Sequence, residues 1–388
     1  MAADALPDHG GPDAGAATHR FRKITLSKDF FCEGASYGDF DRDGALDVVS
    51  GPYVYRGPDF ATRIELYTPK AFDPKSYSDC FLVFVHDMSG DGWDDVLIVG
   101  YPGKDASWLE NPTTTGGAWI RHRAFDVVDD ESPDFVDLTG DGRPELVLAT
   151  GSRLGWAEPS PTDPRKPWAF HPLSPPAGFQ AFTHGLGVGD LDGDGRADVL
   201  EARGWWRQPA SLAGDPTWTL HAQQLGSGGA QMLVSDVDDD GDGDVITSLA
   251  AHDYGISWFE QGGDGGQPLV EHVIVSSDPS NVDVVIHQPH ALALHDIDGD
   301  GKDDIVAGER FWGHVPAGAP DFAAPARLYW LEHTRDAAGV RFAPHLIDDA
   351  SGVGTQVVVG DVTADGLPDV VVASKKGAFV FVHELGMP

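Results

Sequence analysis

The stretch His295-Asp296-Ile297-Asp298-Gly299-Asp300-Gly301-Lys302-Asp303-Asp304-Ile305-Val306 sets three carboxylates at alternate positions, followed by a glycine and a further acid. A hard cation such as Ca²⁺ takes several oxygen ligands, so a short loop can surround it only if the chain bends sharply. Gly301 allows that bend because it has no Cβ to clash at positive φ. The apolar residues on both sides predict two strands joined by a calcium loop.

The same loop recurs seven times, always with a glycine after the third position, and its first acids are 48, 50, 53, 46, 60 and 65 residues apart. Seven copies in register predict a repeat architecture rather than isolated acidic turns. The predicted calcium ligands, loop by loop, are Asp39, Asp41, Asp43 and Asp47; Asp87, Asp91 and Asp95; Asp137, Asp141 and Glu145; Asp190, Asp192, Asp194 and Asp198; Asp236, Asp238, Asp240 and Asp244; Asp296, Asp298, Asp300 and Asp304; Asp361, Asp365 and Asp369.

Each repeat predicts four short strands: one before the loop, one after it, a third with an aromatic-acid signature such as Trp108-Leu109-Glu110, and a fourth with a central histidine. Four antiparallel strands in about fifty residues are typical of a propeller blade. Because the last repeat lacks its fourth strand, Phe21–Leu26 is expected to complete it and to close the ring. We predict an all-β, seven-bladed β-propeller over residues 19–388, after a disordered tail at residues 1–18.

The amino-acid composition limits the classes of partner that the chain is expected to bind. The 388 residues include 62 acids and 26 bases, a formal net charge of −36, and 25 of the acids lie in the seven loops. Without a basic stripe, neither nucleic acid nor an anionic membrane is an expected partner. No apolar run is long enough to span a membrane. Met1–Ala17 has no apolar h-region, so the chain as written is expected in the cytoplasm, or outside it if a signal has been removed. The sequence leaves a homodimer open.

The two cysteines, Cys32 and Cys80, each lie seven residues before the first loop acid of their repeat. They are therefore expected on neighbouring strands, either as a disulfide or as two buried thiols. The interpretation favoured by the sequence is two buried thiols.

The seven positions six residues before each first loop acid should lie around one mouth of the central channel, opposite to the calcium loops. Buried strands normally carry apolar or small residues, so polar groups there indicate function. The positions hold Glu33, Phe81, Glu131, His184, Ala230, His290 and Thr355. His184, His290, Glu33 and Glu131 are the predicted ligands of one divalent ion, Zn²⁺, Mg²⁺ or Mn²⁺.

The turns between second and third strands should open on the same face and carry basic and aromatic side chains. These groups suit a polyhydroxylated substrate, although long polar residues could also simply cover a solvated rim. The predicted substrate-binding residues are Tyr53, Arg153, Arg203, Trp205, Arg310 and the channel residue Gln231. The fourth-strand histidines occupy equivalent outer positions and are interpreted as structural: His122, His171, His221, His272 and His345.

The repeated Asp-x-Asp-x-Asp-Gly-x-x-Asp loop between strands resembles the FG-GAP/VCBS family of calcium-loop propellers, over about residues 20 to 385. A narrower resemblance, to the propeller domain of aldos-2-ulose dehydratases (1,5-anhydrofructose dehydratases), lies between the loops. It is carried by Tyr77–Phe81, Glu131–Pro133, Phe182–Gly187, Gly229–Met232 and Ser248–Gly255.

The resemblance implies a metal-assisted lyase that eliminates water from a keto-sugar such as 1,5-anhydrofructose or an aldos-2-ulose. The channel metal would polarise the keto oxygen, and an imidazole would take the neighbouring proton. The candidate catalytic residues are His184, His252, Tyr254 and Glu131, with the division between ligand and base left open. The alternatives are a calcium-stabilised propeller that binds glycans or cells without catalysis, and a scaffold for protein partners.

Overall fold

The computed structural model describes residues 18–114, 116–262, 268–280, 282–313 and 325–386. Within these ranges the chain forms seven four-stranded antiparallel sheets and no helix, so none of the described residues belongs to a helix that could cross a membrane. The predicted all-β, seven-bladed propeller is confirmed. The predicted tail falls on residues outside these ranges, except for Thr18, which already belongs to a strand.

The first four blades follow one another along the chain, with four consecutive strands each. Blade 1 is β2 (Ser36–Gly38), β3 (Asp47–Ser50), β4 (Tyr53–Arg56) and β5 (Thr62–Glu65). Blade 2 is β6 (Leu82–His86), β7 (Asp95–Val99), β8 (Lys104–Glu110) and β9 (Ile120–Val128). Blade 3 is β10 (Asp134–Val136), β11 (Glu145–Thr150), β12 (Arg153–Glu158) and β13 (Ala169–Pro172). Blade 4 is β14 (Leu186–Gly189), β15 (Asp198–Glu201), β16 (Gly204–Arg207) and β17 (Thr219–Ala222).

The last blade takes one strand from each end of the chain. Blade 5 is β18 (Met232–Ser235), β19 (Asp244–Ser248), β20 (Ile256–Glu260) and β21 (Val270–Val275). Blade 6 is β22 (Pro289–His295), β23 (Asp304–Glu309), β24 (Leu328–Asp336) and β25 (Gly339–Asp348). Blade 7 is β26 (Val357–Gly360), β27 (Asp369–Ser374), β28 (Gly377–Gly386) and β1 (Thr18–Ser27).

Strand β1 closes the ring as the sequence predicts. It pairs antiparallel with β28 from Thr18 opposite Gly386 to Ser27 opposite Ala378. This pairing covers the edge that β28 would otherwise leave open, so the first and last parts of the chain hold each other in one blade.

The fourth-strand histidines are structural in their contacts. In blades 2 to 6 each imidazole lies against the third-strand tryptophan opposite it; Trp258 and His272 stack with centroids 4.3 Å apart. His272 also bonds Glu260 at 2.6 Å, so ring and carboxylate are both engaged at the blade surface. A repeated outer contact of this kind stabilises the blades and leaves these histidines far from the channel.

The first strand of each blade faces the central channel, where side chains link strands across the axis. Gln356 donates to the carbonyl of Val83 and accepts from its N–H group, both at 2.9 Å. Gln231 donates to the carbonyl of Thr355 at 2.9 Å and accepts from the N–H of Leu292 at 3.0 Å. Because buried amides need partners, these side chains act as cross-braces of the ring.

Cys32 and Cys80 form a disulfide across 48 residues between blades 1 and 2. The expectation of two buried thiols is wrong. The equivalent positions of the two residues bring their Cα atoms to 4.8 Å, which is within the range that a disulfide bridges.

We predict that removal of this disulfide destabilises the protein. A Cys32→Ala/Cys80→Ala variant should lose about 2–4 kcal/mol of unfolding free energy, because the unfolded chain gains the freedom of an open loop. Urea unfolding of the variant and of the reduced wild type measures the loss, with the oxidised wild type as control. Identical curves for oxidised and reduced wild type, with two titratable thiols in each, would contradict the assignment.

Candidate metal centre

Four side chains converge where the first strands begin, at the channel end opposite to the acidic loops. Glu131, His184, His252 and His290 each bring one potential ligand atom within 4.8 Å of the others. Oε2 of Glu131 lies 3.2 Å from Nε2 of His184 and 3.2 Å from Nε2 of His290, and the Nε2 atoms of His184 and His252 are 3.1 Å apart. Three imidazoles and one carboxylate therefore form a single cluster.

These separations fit one small cation. Ligand atoms bonded to a tetrahedral ion at about 2.0–2.1 Å stand about 3.3 Å from each other, which is close to the 3.2 Å that separates Oε2 of Glu131 from Nε2 of His184 and from Nε2 of His290. Imidazole nitrogens suit Zn²⁺ and other transition metals, whereas Mg²⁺ prefers oxygen ligands. The donor set consequently fits a transition metal better than Mg²⁺.

A buried guanidinium lies beside this cluster. Arg310 is only 1% exposed, and it comes directly after β23. Its Nη1 donates to Nε2 of His290 at 2.7 Å and to Oε2 of Glu131 at 3.2 Å, while its Nη2 donates to Glu33. Such a charge survives burial only when paired, and here two carboxylates pair with it.

The guanidinium determines the protonation of its neighbours. Burial opposes ionisation of Glu131, but Arg310, together with the adjacent His184 and His290, holds the pKa of that carboxyl well below its usual range. Burial and the nearby guanidinium both lower the pKa of His290, to about 3. Around pH 7 the cluster therefore contains an ionised Glu131 and a neutral His290, the forms in which both residues bind metals.

The opposite face carries the seven acidic loops, and backbone hydrogen bonds organise each of them. In the sixth loop Asp296 accepts from the N–H groups of Gly299, Asp300 and Gly301 at 2.8–3.0 Å. The last acid, Asp304, accepts from Ile297 in the loop at 3.0 Å and from His333 in β24 at 2.7 Å. Carboxylates thus tie the loop both to itself and to the third strand.

The loops also bring carboxylates together as calcium ligands require. Groups of three include Asp39, Asp41 and Asp43; Asp137, Asp141 and Glu145; Asp190, Asp192 and Asp194; and Asp236, Asp238 and Asp244. Oδ1 of Asp238 is buried and has no hydrogen-bond partner among the described residues, which fits a ligand atom directed at a cation. Calcium binding itself stays a prediction.

Comparison with known proteins supports the repeat assignment. The FG-GAP-like repeat family matches residues 87–148, 137–201 and 296–372. The chain contains FG-GAP-like repeats. None of the curated proteins matches this sequence.

Solved structures share the propeller fold of these FG-GAP-like repeats at low identity. BBS1N in complex with ARL6DN is 10% identical, with a TM-score of 0.53 over 96% of this chain and 98% of that one. An Agrocybe aegerita lectin that recognises non-reducing terminal N-acetylglucosamine is 15% identical, with a TM-score of 0.47 over 96% and 86%. The rhamnogalacturonan lyase YesW is 15% identical, with a TM-score of 0.45 over 98% and 74%. The resemblance to aldos-2-ulose dehydratases stays a prediction.

Most, but not all, of the predicted ligands of the channel metal lie together in the cluster. Glu131, His184 and His290 lie in the cluster as expected from their equivalent positions. Glu33 does not, because its carboxylate pairs with Arg310, and His252 takes its place from the turn after β19. Tyr254 lies in the same turn and is half-buried. Its backbone pairs with that of His287 in an isolated antiparallel β-bridge.

Several residues predicted to bind substrate have other roles. Trp205 is 4% exposed and stacks on His221 at 4.0 Å, so it belongs to the interior of blade 4. Tyr53 is buried against Phe31, and Gln231 braces the channel. Arg310 lies in the interior and not on the rim. Each of these four residues already has partners inside the ring, and a role in substrate binding stays a prediction for them.

The remaining two predicted substrate residues stay at the surface. Arg153 is half-buried and donates to the carbonyl of Ser174 at 3.2 Å. Arg203 is exposed, pairs with Glu201 at 2.9 Å and lines a groove of about 360 Å³ that reaches His184. Of the predicted substrate-binding residues, Arg203 is therefore the one whose position beside the cluster agrees best with contact to a substrate.

Two further residues lie near the cluster, Tyr77 and Lys375, although neither was among the predicted site residues. Lys375 is 3% exposed, and its Nζ lies 4.3 Å from the Tyr77 ring centroid and donates to the carbonyl of Trp312 at 2.7 Å. Burial lowers the pKa of Lys375 to about 8. Its position in the turn after β27 was visible in the sequence, but lysines in such turns are usually exposed.

We predict that the protein depends on the charge of Arg310. An Arg310→Met variant should lose about 3–5 kcal/mol of unfolding free energy, because Glu33 and Glu131 would remain buried without a cation. A Glu33→Gln/Arg310→Met variant should lose less than the two single changes combined. Urea unfolding of the four proteins measures this coupling; additive losses would contradict the pairing.

We also predict a pH-dependent need for calcium. Burial raises the pKa of Asp95, Asp198 and Asp304 to about 7. Between about pH 6.5 and pH 8 these three acids lose their protons in the folded state, whereas in the unfolded chain they are already ionised. The free energy of unfolding therefore falls as pH rises across this range. The lowered pKa of His290 has the opposite slope, but only below about pH 6.5, where an unfolded histidine is protonated.

The measurement is the melting temperature at these two pH values, in excess chelator and in calcium. In chelator we expect it to drop by about 5 °C or more, and in calcium to change little because the ion compensates the carboxylates. Equal melting temperatures in all four conditions would contradict the loop assignment.

Proposed function

We propose that this protein is a metal-dependent carbon–oxygen lyase that eliminates water from a keto-sugar at the channel mouth. One observation carries the proposal: three imidazole nitrogens and one carboxylate oxygen converge on a single point in a partly enclosed, polar site. A cluster of this composition is uncommon in a propeller channel that is otherwise braced by amides and packed with apolar groups.

Glu131, His184 and His290 are the proposed metal ligands. All three belong to the segments where first strands begin, so blades 3, 4 and 6 hold them in a fixed geometry. The neutral form of His290 and the ionised form of Glu131 suit this role. When bound, the ion would supply Lewis-acid polarisation of the keto oxygen.

His252 is the proposed base. It lies in a turn, with its Nε2 3.1 Å from that of His184, and so borders the site from a different element than the three ligands. Its imidazole takes the proton from the carbon next to the carbonyl, and the electron pair of that C–H bond forms the new double bond as the β-hydroxyl leaves. The imidazolium, or the Tyr254 hydroxyl of the same turn, returns a proton to that hydroxyl, so the products are an unsaturated ketone and water.

Arg310 and Glu33 form a buried ion pair beside the proposed ligands. The guanidinium donates to Nε2 of His290 and to Oε2 of Glu131, the same two atoms that would hold the ion. Because a ring nitrogen cannot accept that hydrogen bond and bind a metal at the same time, we expect the guanidinium to stay with Glu33 and to give up its contact with His290 when the ion is bound.

A second candidate is a glycan-binding propeller without catalysis. It is favoured by the aromatic rings at the channel mouth, where Tyr101 contacts Tyr77 and Phe182 with centroid distances of 5.5 and 5.1 Å. Flat aromatic faces bind sugars whether or not a reaction follows, so metal content and activity distinguish the two candidates.

We predict that the channel metal is lost without its histidines. Elemental analysis of a His184→Ala/His290→Ala variant should show one transition metal per chain fewer than wild type, with calcium unchanged. A His122→Ala/His272→Ala variant, which removes two outer histidines, is the matched control and should keep the metal. Equal transition-metal content in all three proteins would exclude the metal centre.

We further predict that His252 is needed for the reaction but not for metal binding. A His252→Ala variant should eliminate water from 1,5-anhydrofructose about 10²–10⁴-fold more slowly than wild type, followed by ultraviolet absorbance of the unsaturated ketone. Its transition-metal content should equal that of wild type. Loss of the metal together with activity would make His252 a ligand instead of the base.

A further inference from the structure

The basic residues of this acidic protein are unevenly distributed. Many of them pair with carboxylates; Arg56, Arg143 and Arg207, for example, contact acids of the calcium loops. Five exposed basic residues near the channel mouth and the groove beside it have no carboxylate partner among the described residues: Lys70, Lys75, Lys104, Arg121 and Lys376. In a chain of net charge −36, unpaired cations gathered in one region indicate an anionic ligand.

Three of these cations line a groove of about 720 Å³ between blades 1 and 2. Its walls include Lys70, Lys104 and Arg121, together with the half-buried rings of Tyr67 and Tyr101. The guanidinium of Arg121 lies over the Tyr67 ring, 5.2 Å from its centroid. The volume is within the range of about 300–1,000 Å³ that is typical of ligand sites.

The groove extends to the candidate metal centre through aromatic contacts. Tyr77 lines the groove, and its ring contacts Phe81 at 6.2 Å between centroids. Phe81 in turn lies under the guanidinium of Arg310, 5.7 Å away. Tyr77 also donates to the carbonyl of Gly313 at 3.0 Å, and an added Cβ on Gly313 would stand 3.4 Å from Nδ1 of His252. The groove and the cluster are thus linked through packed side chains, by way of the buried Phe81 and Arg310.

We propose that this groove binds an acidic segment of an oligosaccharide, so that the sugar that reacts at the channel mouth is part of, or linked to, an anionic glycan. The tyrosine faces would carry the sugar rings, and Lys70, Lys104 and Arg121 would hold the anionic groups. The anion is a carboxylate or a sulfate ester, since both bind the same cations. The inference concerns the substrate class of the proposed lyase and rests on that function for its link to catalysis, although the binding can be measured without it.

Two acids of the groove are consistent with a sugar ligand. Asp105 accepts from the hydroxyl of Ser107 at 2.6 Å, so part of its charge is already engaged. Asp79 is exposed and offers acceptor atoms for sugar hydroxyls. In a ligand with both hydroxyls and spaced anionic groups, the hydroxyls can donate to the acids while the anionic groups bind the basic residues. A continuous polyanion would instead be repelled by Asp79.

The test is isothermal titration calorimetry with four probes: a galacturonic acid trimer, its methyl-esterified neutral form, a sulfated trisaccharide and a short single-stranded oligonucleotide. We expect an acidic sugar to bind at least about tenfold more tightly than the neutral form, and the oligonucleotide not to bind. The galacturonate and sulfate arms identify the anion. Equal binding of acidic and neutral sugars, or equal binding of the oligonucleotide, would overturn the proposal.

Variants locate the binding. Lys104→Met/Arg121→Met should weaken acidic-sugar binding by about tenfold or more, because two charge-assisted contacts are lost. Lys166→Met/Arg341→Met removes two exposed cations elsewhere and should bind as wild type does; an equal loss in both double variants would show general charge attraction and overturn the site. The His184→Ala/His290→Ala variant should keep the binding. Retained binding there with no lyase activity in wild type would reject the proposed reaction but not the groove.

Discussion

The structure depends on a tight acidic turn in which carboxylate oxygens accept backbone N–H groups. Each of the seven turns joins the first and second strands of a blade. In most blades its last acid also accepts from a residue in the third strand or directly after it, as Asp95 does from Asn111 at 2.7 Å. The turn therefore aligns three strands at once. Because these acids are crowded and partly buried, we expect the arrangement that aligns the strands also to need cations.

Repetition of this turn determines where chemistry can occur. With all acidic loops at one face, the beginnings of the first strands meet at the other, where the equivalent positions hold different residue types in different blades. Glu131, His184 and His290 come together there with His252. A ring of similar blades thus has a single asymmetric cluster at one end of its channel, next to the ion pairs that Arg310 makes with Glu33 and Glu131.

Much of the architecture was predictable because it follows from local rules. The glycine after the third loop position predicts each turn, and the missing fourth strand of the last repeat predicts closure by β1. Equivalent positions also predicted three of the four cluster residues. His252 was expected near the mouth, but only as a base, since its distance from the other side chains depends on how a turn folds back over the axis.

Interior charges and covalent pairing were harder to predict. Arg310 and Lys375 lie in turns, where long cationic side chains usually extend into water; only the assembled ring shows that Glu33 and Glu131 draw Arg310 inward. Cys32 and Cys80 were placed correctly as neighbours, yet position alone does not separate a disulfide from two thiols. The orientation of Trp205 was also not predictable, because an aromatic residue in a turn-proximal strand can face either the solvent or, as here, a histidine of its own blade.

X-ray absorption spectroscopy of the purified protein tests the central claim, a transition metal at the channel mouth, most directly. We predict an absorption edge of one transition metal per chain, with a first shell of imidazole nitrogens and carboxylate oxygen at about 2.0–2.2 Å. An edge without imidazole scattering, or no transition-metal edge in protein that retains its calcium, would contradict it.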